Sequence, residues 1–161
     1  QVILERARHR VIAGGEGAST IDAGSGDDSI TLGMDDPGSW ETSPEPNRVV
    51  AGSGNDVVRG GARINFIDGG SGNDTVTGGP NRDIVSAGSG DDVVRGGALV
   101  DTIKGEDGND TLYGDGGARD TLDGGDGNDF LSGGADGWDY CKGGNGTDRA
   151  AGDCETVMGV P

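Results

Sequence analysis

A nonapeptide returns seven times along this chain, and that period constrains the fold more than any other feature. The frame occupies residues 23–31 (AGSGDDSIT). It recurs from Ala51 (AGSGNDVVR), Gly69 (GGSGNDTVT), Ala87 (AGSGDDVVR), Gly105 (GEDGNDTLY), Gly124 (GGDGNDFLS) and Gly143 (GGNGTDRAA). The shared pattern is G-G-x-G-x-D-x-U-x, where U is a large apolar residue. Position 4 is glycine in all seven copies: Gly26, Gly54, Gly72, Gly90, Gly108, Gly127 and Gly146. Position 6 is aspartate in all seven: Asp28, Asp56, Asp74, Asp92, Asp110, Asp129 and Asp148. A fixed period of this kind marks a solenoid, in which each unit buries its apolar face only by stacking on the next. The departures are Ala23, Ala51 and Ala87 at position 1, Glu106 at position 2, and the small Ala150 at position 8.

These repeats resemble the haemolysin-type, or RTX, calcium-binding nonapeptide repeat over roughly residues 10–151. The resemblance implies an all-β, right-handed parallel β-roll, here of about eight 18-residue coils with capped ends. It also implies Ca²⁺ lodged between successive turns of one edge. One turn offers the carbonyls of positions 2 and 4 with its Asp; the next offers those of positions 1 and 3 with its own. The implied ligand set starts at Gly24, Gly26 and Asp28. It continues through Ala51, Gly52, Ser53, Gly54 and Asp56, then Gly69, Gly70, Ser71, Gly72 and Asp74. Ala87, Gly88, Ser89, Gly90 and Asp92 follow, then Gly105, Glu106, Asp107, Gly108 and Asp110. The set closes with Gly124, Gly125, Asp126, Gly127 and Asp129, and with Gly143, Asn145 and Asp148. Seven turns leave six gaps, so about six Ca²⁺ ions are expected. The residue types suit such turns, since glycine reaches φ > 0 without steric cost and Ca²⁺ takes six to eight oxygen ligands.

The strong repeats begin 28, 18, 18, 18, 19 and 19 residues apart. The true period is therefore two nonapeptides. Single insertions are expected near Gly114 and Gly133, and a ten-residue surface insertion at residues 32–41. Degenerate repeats lie between the strong ones, at 14–22, 42–50, 60–68, 78–86, 96–104, 115–123 and 134–142. In a roll whose coil is turn, strand, turn, strand, they form the opposite edge. Their position 6 reads Ser19, Asn47, Asn65, Asp83, Asp101, Asp120 and Asp139. Arg63, Arg82 and Arg119 accompany them. The expectation is that side-chain hydrogen bonds and guanidinium charge replace calcium on this edge. Weak sites at Asp83, Asp101, Asp120 and Asp139 are the alternative.

Position 8 should carry the core: Ile12, Ile21, Ile30, Val49, Val58, Ile67, Val76, Val85, Val94, Ile103, Leu112, Leu122, Leu131, Cys141 and Ala150. β-Branched residues dominate, as stacked strands prefer. One large apolar residue in nine is too little burial to offset the ordering of nine residues. Metal binding and folding are therefore expected to be one equilibrium.

Glycine supplies 36 of 161 residues, hydrophobic residues 30% and aromatics 4%. Without the period, such a composition would indicate disorder. The net charge of −17 argues against nucleic acid and anionic lipid as partners. Apolar runs of a few residues exclude a membrane-spanning helix. The chain begins at Gln1 with no charged-then-apolar leader, so any secretion signal is expected to have been removed or to lie outside this sequence. Residues 1–13 and 152–161 read as caps around the roll at 14–151, because an open coil exposes unpaired strand. Cys141 and Cys154 are the only cysteines. A disulfide pinning the tail is expected, with two buried thiols as the alternative. A disulfide and weak calcium sites both fit a secreted, extracellular protein.

Catalytic motifs are missing. His9 is the only histidine, there is no H-E-x-x-H and no G-x-S-x-G, and Cys141 sits at a core position. The chain therefore reads as a calcium-binding module with a structural or interaction role, and no enzyme. An adhesin-like or ice-binding roll is the alternative, presenting the outward residues of positions 3 and 5. Trp40 and Trp138 are read as packing on the roll or docking a protein or carbohydrate partner.

Overall fold

The structure is a computed structural model that describes residues 2–4, 10–14, 17–33, 45–117, 119–135 and 137–159. Among these residues there are seventeen strands and no helix. The strands alternate between two sheets, one of nine and one of eight, and each strand neighbours the strand two places away in sequence. All pairings within the sheets are parallel. The result is a β-solenoid of about seven turns. No helix in it is long and apolar enough to cross a membrane.

Register follows the nonapeptide. In the nine-stranded sheet Val49, Ile67, Val85, Ile103, Leu122 and Cys141 lie side by side. In the eight-stranded sheet Ile30, Val58, Val76, Val94, Leu112 and Leu131 do the same. Successive strand residues face opposite ways, so one residue of each strand triplet enters the space between the sheets. These position-8 side chains are buried, from Ile12 to Cys141, and Ala150 packs against them partly buried. Ala23, Ala51 and Ala87 join the same core from position 1.

Leu32 and the two single insertions differ from the expected layout. Leu32, placed at the start of the surface insertion, is a core residue at 2% exposure, its N–H donating to Arg59 O. It follows Thr31, which pairs with Arg59, so it lines up with Gly60 at position 1. Residues 34–44, including Trp40, lie outside the described residues. The single insertions also fall later than Gly114 and Gly133. Asp115 pairs with Gly97 and Gly116 with Ala98, so Gly114 is itself a position 1 and the extra residue sits between Gly116 and Asp120. The Gly116–Ala135 bridge repeats this one coil on, placing the second extra residue between Ala135 and Asp139. Both enlarge a turn and leave the strands in register.

A disulfide joins Cys141 to Cys154, with Cα atoms 5.9 Å apart. It fastens the tail strand Thr156–Met158 beside Tyr140–Asn145.

Candidate metal centres

The strong turns run from the nine-stranded to the eight-stranded sheet, and their backbone is set by two residues. At Gly70 and Gly72, positions 2 and 4, φ is 104° and 119°. A Cβ at either would run into the main-chain carbonyl of Gly52 or Gly54 in the preceding coil. Every position 2 and 4 of the seven strong turns has positive φ, including the non-glycine Glu106 at 80°. The turns therefore stack at backbone contact, which brings rows of carbonyl oxygens together along the edge.

Position 6 stacks inside that edge. Asp28, Asp56, Asp74, Asp92, Asp110, Asp129 and Asp148 are each at most 4% exposed. One oxygen of each is used: Oδ1 accepts the main-chain N–H of position 6 in the coil before. The distances are 2.6 Å for Asp28 N to Asp56, 2.8 Å for Asp56 N to Asp74 and 2.7 Å for Asp74 N to Asp92. The ladder continues to Asp148 at 2.8 to 3.0 Å. The other oxygen, Oδ2, is buried in all seven and has no hydrogen-bond partner. An unpaired buried carboxylate oxygen is costly, and it is acceptor-only, so a donor, a proton or a metal ion must satisfy it. Position-1 glycines keep its surroundings clear: a Cβ at Gly69 would come within 2.6 Å of Asp74 Oδ2, and one at Gly105, Gly124 or Gly143 would crowd Asp110, Asp129 or Asp148.

Electrostatics agree. Burial pushes the carboxyls of Asp74 and Asp110 up to about 7 and that of Asp92 to about 6. The N–H that each accepts opposes the rise. For Asp74 the neighbouring charges of Asp92, Asp56 and Asp68 add to it. Asp56 and Asp129 are raised for the same reasons. Bare like charges stacked in a dry turn favour a proton or a metal ion.

Among the described residues no three His, Cys, Asp or Glu side chains converge to hold an ion. Each gap offers two carboxylates, so main-chain carbonyls must complete any coordination shell. That is the donor set of a hard, oxygen-seeking cation such as Ca²⁺, and the residues present fit it. The position-3 residues Ser53, Ser71, Ser89, Asp107, Asp126 and Asn145 have exposed side chains; only their main chain faces the gaps.

The degenerate edge is divided: Asn47 and Asn65 are held by side-chain hydrogen bonds, whereas its aspartates resemble those of the strong edge. Asp83, Asp101, Asp120 and Asp139 are at most 1% exposed, and their Oδ2 atoms are buried without partners, as on the strong edge. Their Oδ1 atoms accept the preceding coil's N–H in the same ladder, at 2.7 to 2.8 Å. Burial pushes Asp83 up to about 6 and Asp101 to about 7. Arg82 does not supply the expected partner: it is exposed, and the bonds to Asp83 come from Asn65. An arginine in the outward position 5 cannot reach the dry interior of its own turn. The tail ends this ladder, with Glu155 Oε2 accepting the Asp139 N–H at 2.6 Å.

A second ladder lies beyond the sequence expectations. Position-5 side chains accept the N–H of the next coil, in the opposite sense to position 6. Asp27 Oδ1 takes Asn55 N at 2.8 Å, and the chain runs through Asn55, Asn73, Asp91 and Asn109 to Asn128, which takes Thr147 N. The backbone N–H of Asn109, and then its side-chain amide, hold the Asp91 carboxyl below its ordinary range. The near-uniform Asn or Asp at position 5 is the sequence signal for it. Trp138 is 76% exposed, so it does not pack on the roll, and His9 lies outside the described residues.

Parallel coils, glycine-set turns and a buried aspartate in each strong turn define a β-roll suited to cations. The chain matches the RTX calcium-binding nonapeptide repeat over residues 11–36, 50–85, 59–94, 77–106, 86–119 and 118–150, and it belongs to that family. The repeat is a calcium-binding structural unit. No curated protein and no solved structure matches the chain.

Proposed function

We propose that this chain is a secreted β-roll module that folds on binding Ca²⁺ and serves a structural or interaction role. The observation that carries this is the row of seven buried Oδ2 atoms in register on the strong edge, each lacking any hydrogen-bond donor. A column of about six ions between those turns, held by the residues of positions 1 to 4 and 6, satisfies them. The disulfide supports secretion, since such bonds persist in oxidising compartments.

One observation favours a second reading of the opposite edge. Asp83, Asp101, Asp120 and Asp139 repeat the orphaned geometry, so three further gaps are suited to calcium. Bound calcium, counted by atomic emission after dialysis at saturation, separates these readings. Six ions assign calcium to the strong edge alone, nine to both edges, and none removes the proposal. The adhesin-like or ice-binding alternative is weakened by the position-5 ladder, which ties the side-chain oxygens of that rank to the roll's own backbone. A thermal-hysteresis assay tests its ice-binding form.

A further inference from the structure

The position-6 column of the degenerate edge changes chemistry at Asn65. Asp83 and the three aspartates after it present an unpartnered Oδ2, whereas Asn65, 0% exposed, is fully engaged. Its Nδ2 lies 3.2 Å from Gly61 O, 2.7 Å from Arg63 O, 3.1 Å from Gly78 O and 2.8 Å from Asp83 Oδ1. Those four oxygens are the carbonyls of positions 2 and 4 in one turn, then the position-1 carbonyl and the aspartate of the next. They belong to the same repeat positions as the donors that line each gap of the strong edge. An NH₂ group is a donor with partial positive charge and no lone pair to offer. It meets the same acceptors that a cation would.

Asn65 Oδ1 is satisfied as well, accepting Asn47 Nδ2 at 2.8 Å. Asn47 Oδ1 in turn accepts Ser19 N at 2.9 Å. From Ser19 to Asp83 the position-6 column is therefore joined by amide hydrogen bonds.

We propose that the Asn65 side-chain amide is a built-in substitute for the metal ion in the gap between the turns at 60–65 and 78–83. This pair of turns then closes without calcium, and the N-terminal half of the edge is a metal-independent segment of an otherwise metal-dependent roll. The inference rests on the calcium reading above.

Asn65→Asp tests it, because the isosteric change swaps the donor for an acceptor and leaves the four oxygens in place. The variant should bind one Ca²⁺ more per chain than the natural protein at saturation, by atomic emission or native mass spectrometry. In EDTA it should lose β-structure by circular dichroism relative to the natural protein. A folded Asn65→Asp chain with an unchanged ion count overturns the inference. A natural chain that binds no calcium overturns the reading beneath it instead. If Asn65→Asp fails to fold, the natural protein still decides. The Asn65 NH₂ protons should exchange slowly in EDTA, by nuclear magnetic resonance, and persist when calcium is added. Rapid exchange in EDTA refutes the substitute.

Discussion

Replacing Asp74 with alanine should have very different consequences with and without calcium. Asp74 sits between two gaps, those shared with Asp56 and with Asp92. Losing its carboxylate should empty both. Each site at a calcium concentration of 100 times its Kd contributes about 2.7 kcal/mol to stability, so two lost sites cost roughly 5 kcal/mol. The Asp56 N–H, which donates to Asp74 Oδ1 at 2.8 Å, is left buried and unpaired, for a further 1–3 kcal/mol or so. Without calcium the second cost remains, but it is offset by removing a buried carboxylate that Asp56 and Asp92 repel. Urea unfolding by circular dichroism in saturating calcium reads the first state, and the residual β-sheet signal in EDTA reads the second. The expected result is a large loss in calcium, a small change in EDTA, and two fewer ions at saturation. A folded variant with the full complement of ions, or equal losses in the two buffers, would refute the shared-site geometry.

Acid should partly replace calcium. The carboxyls of Asp74, Asp101 and Asp110 are raised from 3.8 in the unfolded chain to about 7 in the fold. The fold therefore binds protons more tightly than the unfolded chain, and its stability falls as pH rises from about 4 through 7. In EDTA the β-sheet signal should be stronger at pH 5 than at pH 7.5, and a flat profile contradicts this. Gly72→Ala combines a φ of 119° with a Cβ pressed on Gly54 O. It should cost at least about 2 kcal/mol in calcium, read by urea unfolding, with no cost expected if the turns do not stack at backbone contact. Reducing the Cys141–Cys154 bond opens a loop of about 14 residues and should cost roughly 3 kcal/mol in the chain-entropy view. An unchanged melting curve after reduction would show that the tail strand is held by its hydrogen bonds alone.

The period-nine pattern made the core legible, because each position-8 residue from Ile12 to Leu131 needed only its own frame to be placed. It also made the row of strong-edge aspartates legible. The insertions were harder. Gly114–Gly117 and Gly133–Gly134 offer glycine to two adjacent frames, and only the pairing of Asp115 with Gly97 decides between them. Leu32 escapes the frame because its burial depends on lying beside Gly60, one coil and ten extra residues away. Contacts between coils were the least visible. The position-5 ladder, the cage around Asn65 Nδ2 and the isolation of Arg82 from Asp83 all depend on register across 18 residues, which no local pattern encodes. The loss of position-4 glycine suggested that the degenerate edge had given up metal. Its aspartates nonetheless keep the strong-edge geometry, the buried Oδ2 and the Oδ1 ladder alike, so that geometry does not depend on a position-4 glycine.

The most direct test of calcium-driven folding is a calcium titration of the natural chain, dialysed free of metal at pH 7.5 and followed by far-ultraviolet circular dichroism. The expected result is a cooperative gain of β-structure on adding Ca²⁺ and its reversal by EDTA, with magnesium much less effective because it favours near-ideal octahedral geometry and dehydrates reluctantly. A spectrum already fully β in EDTA and unchanged by calcium would contradict it.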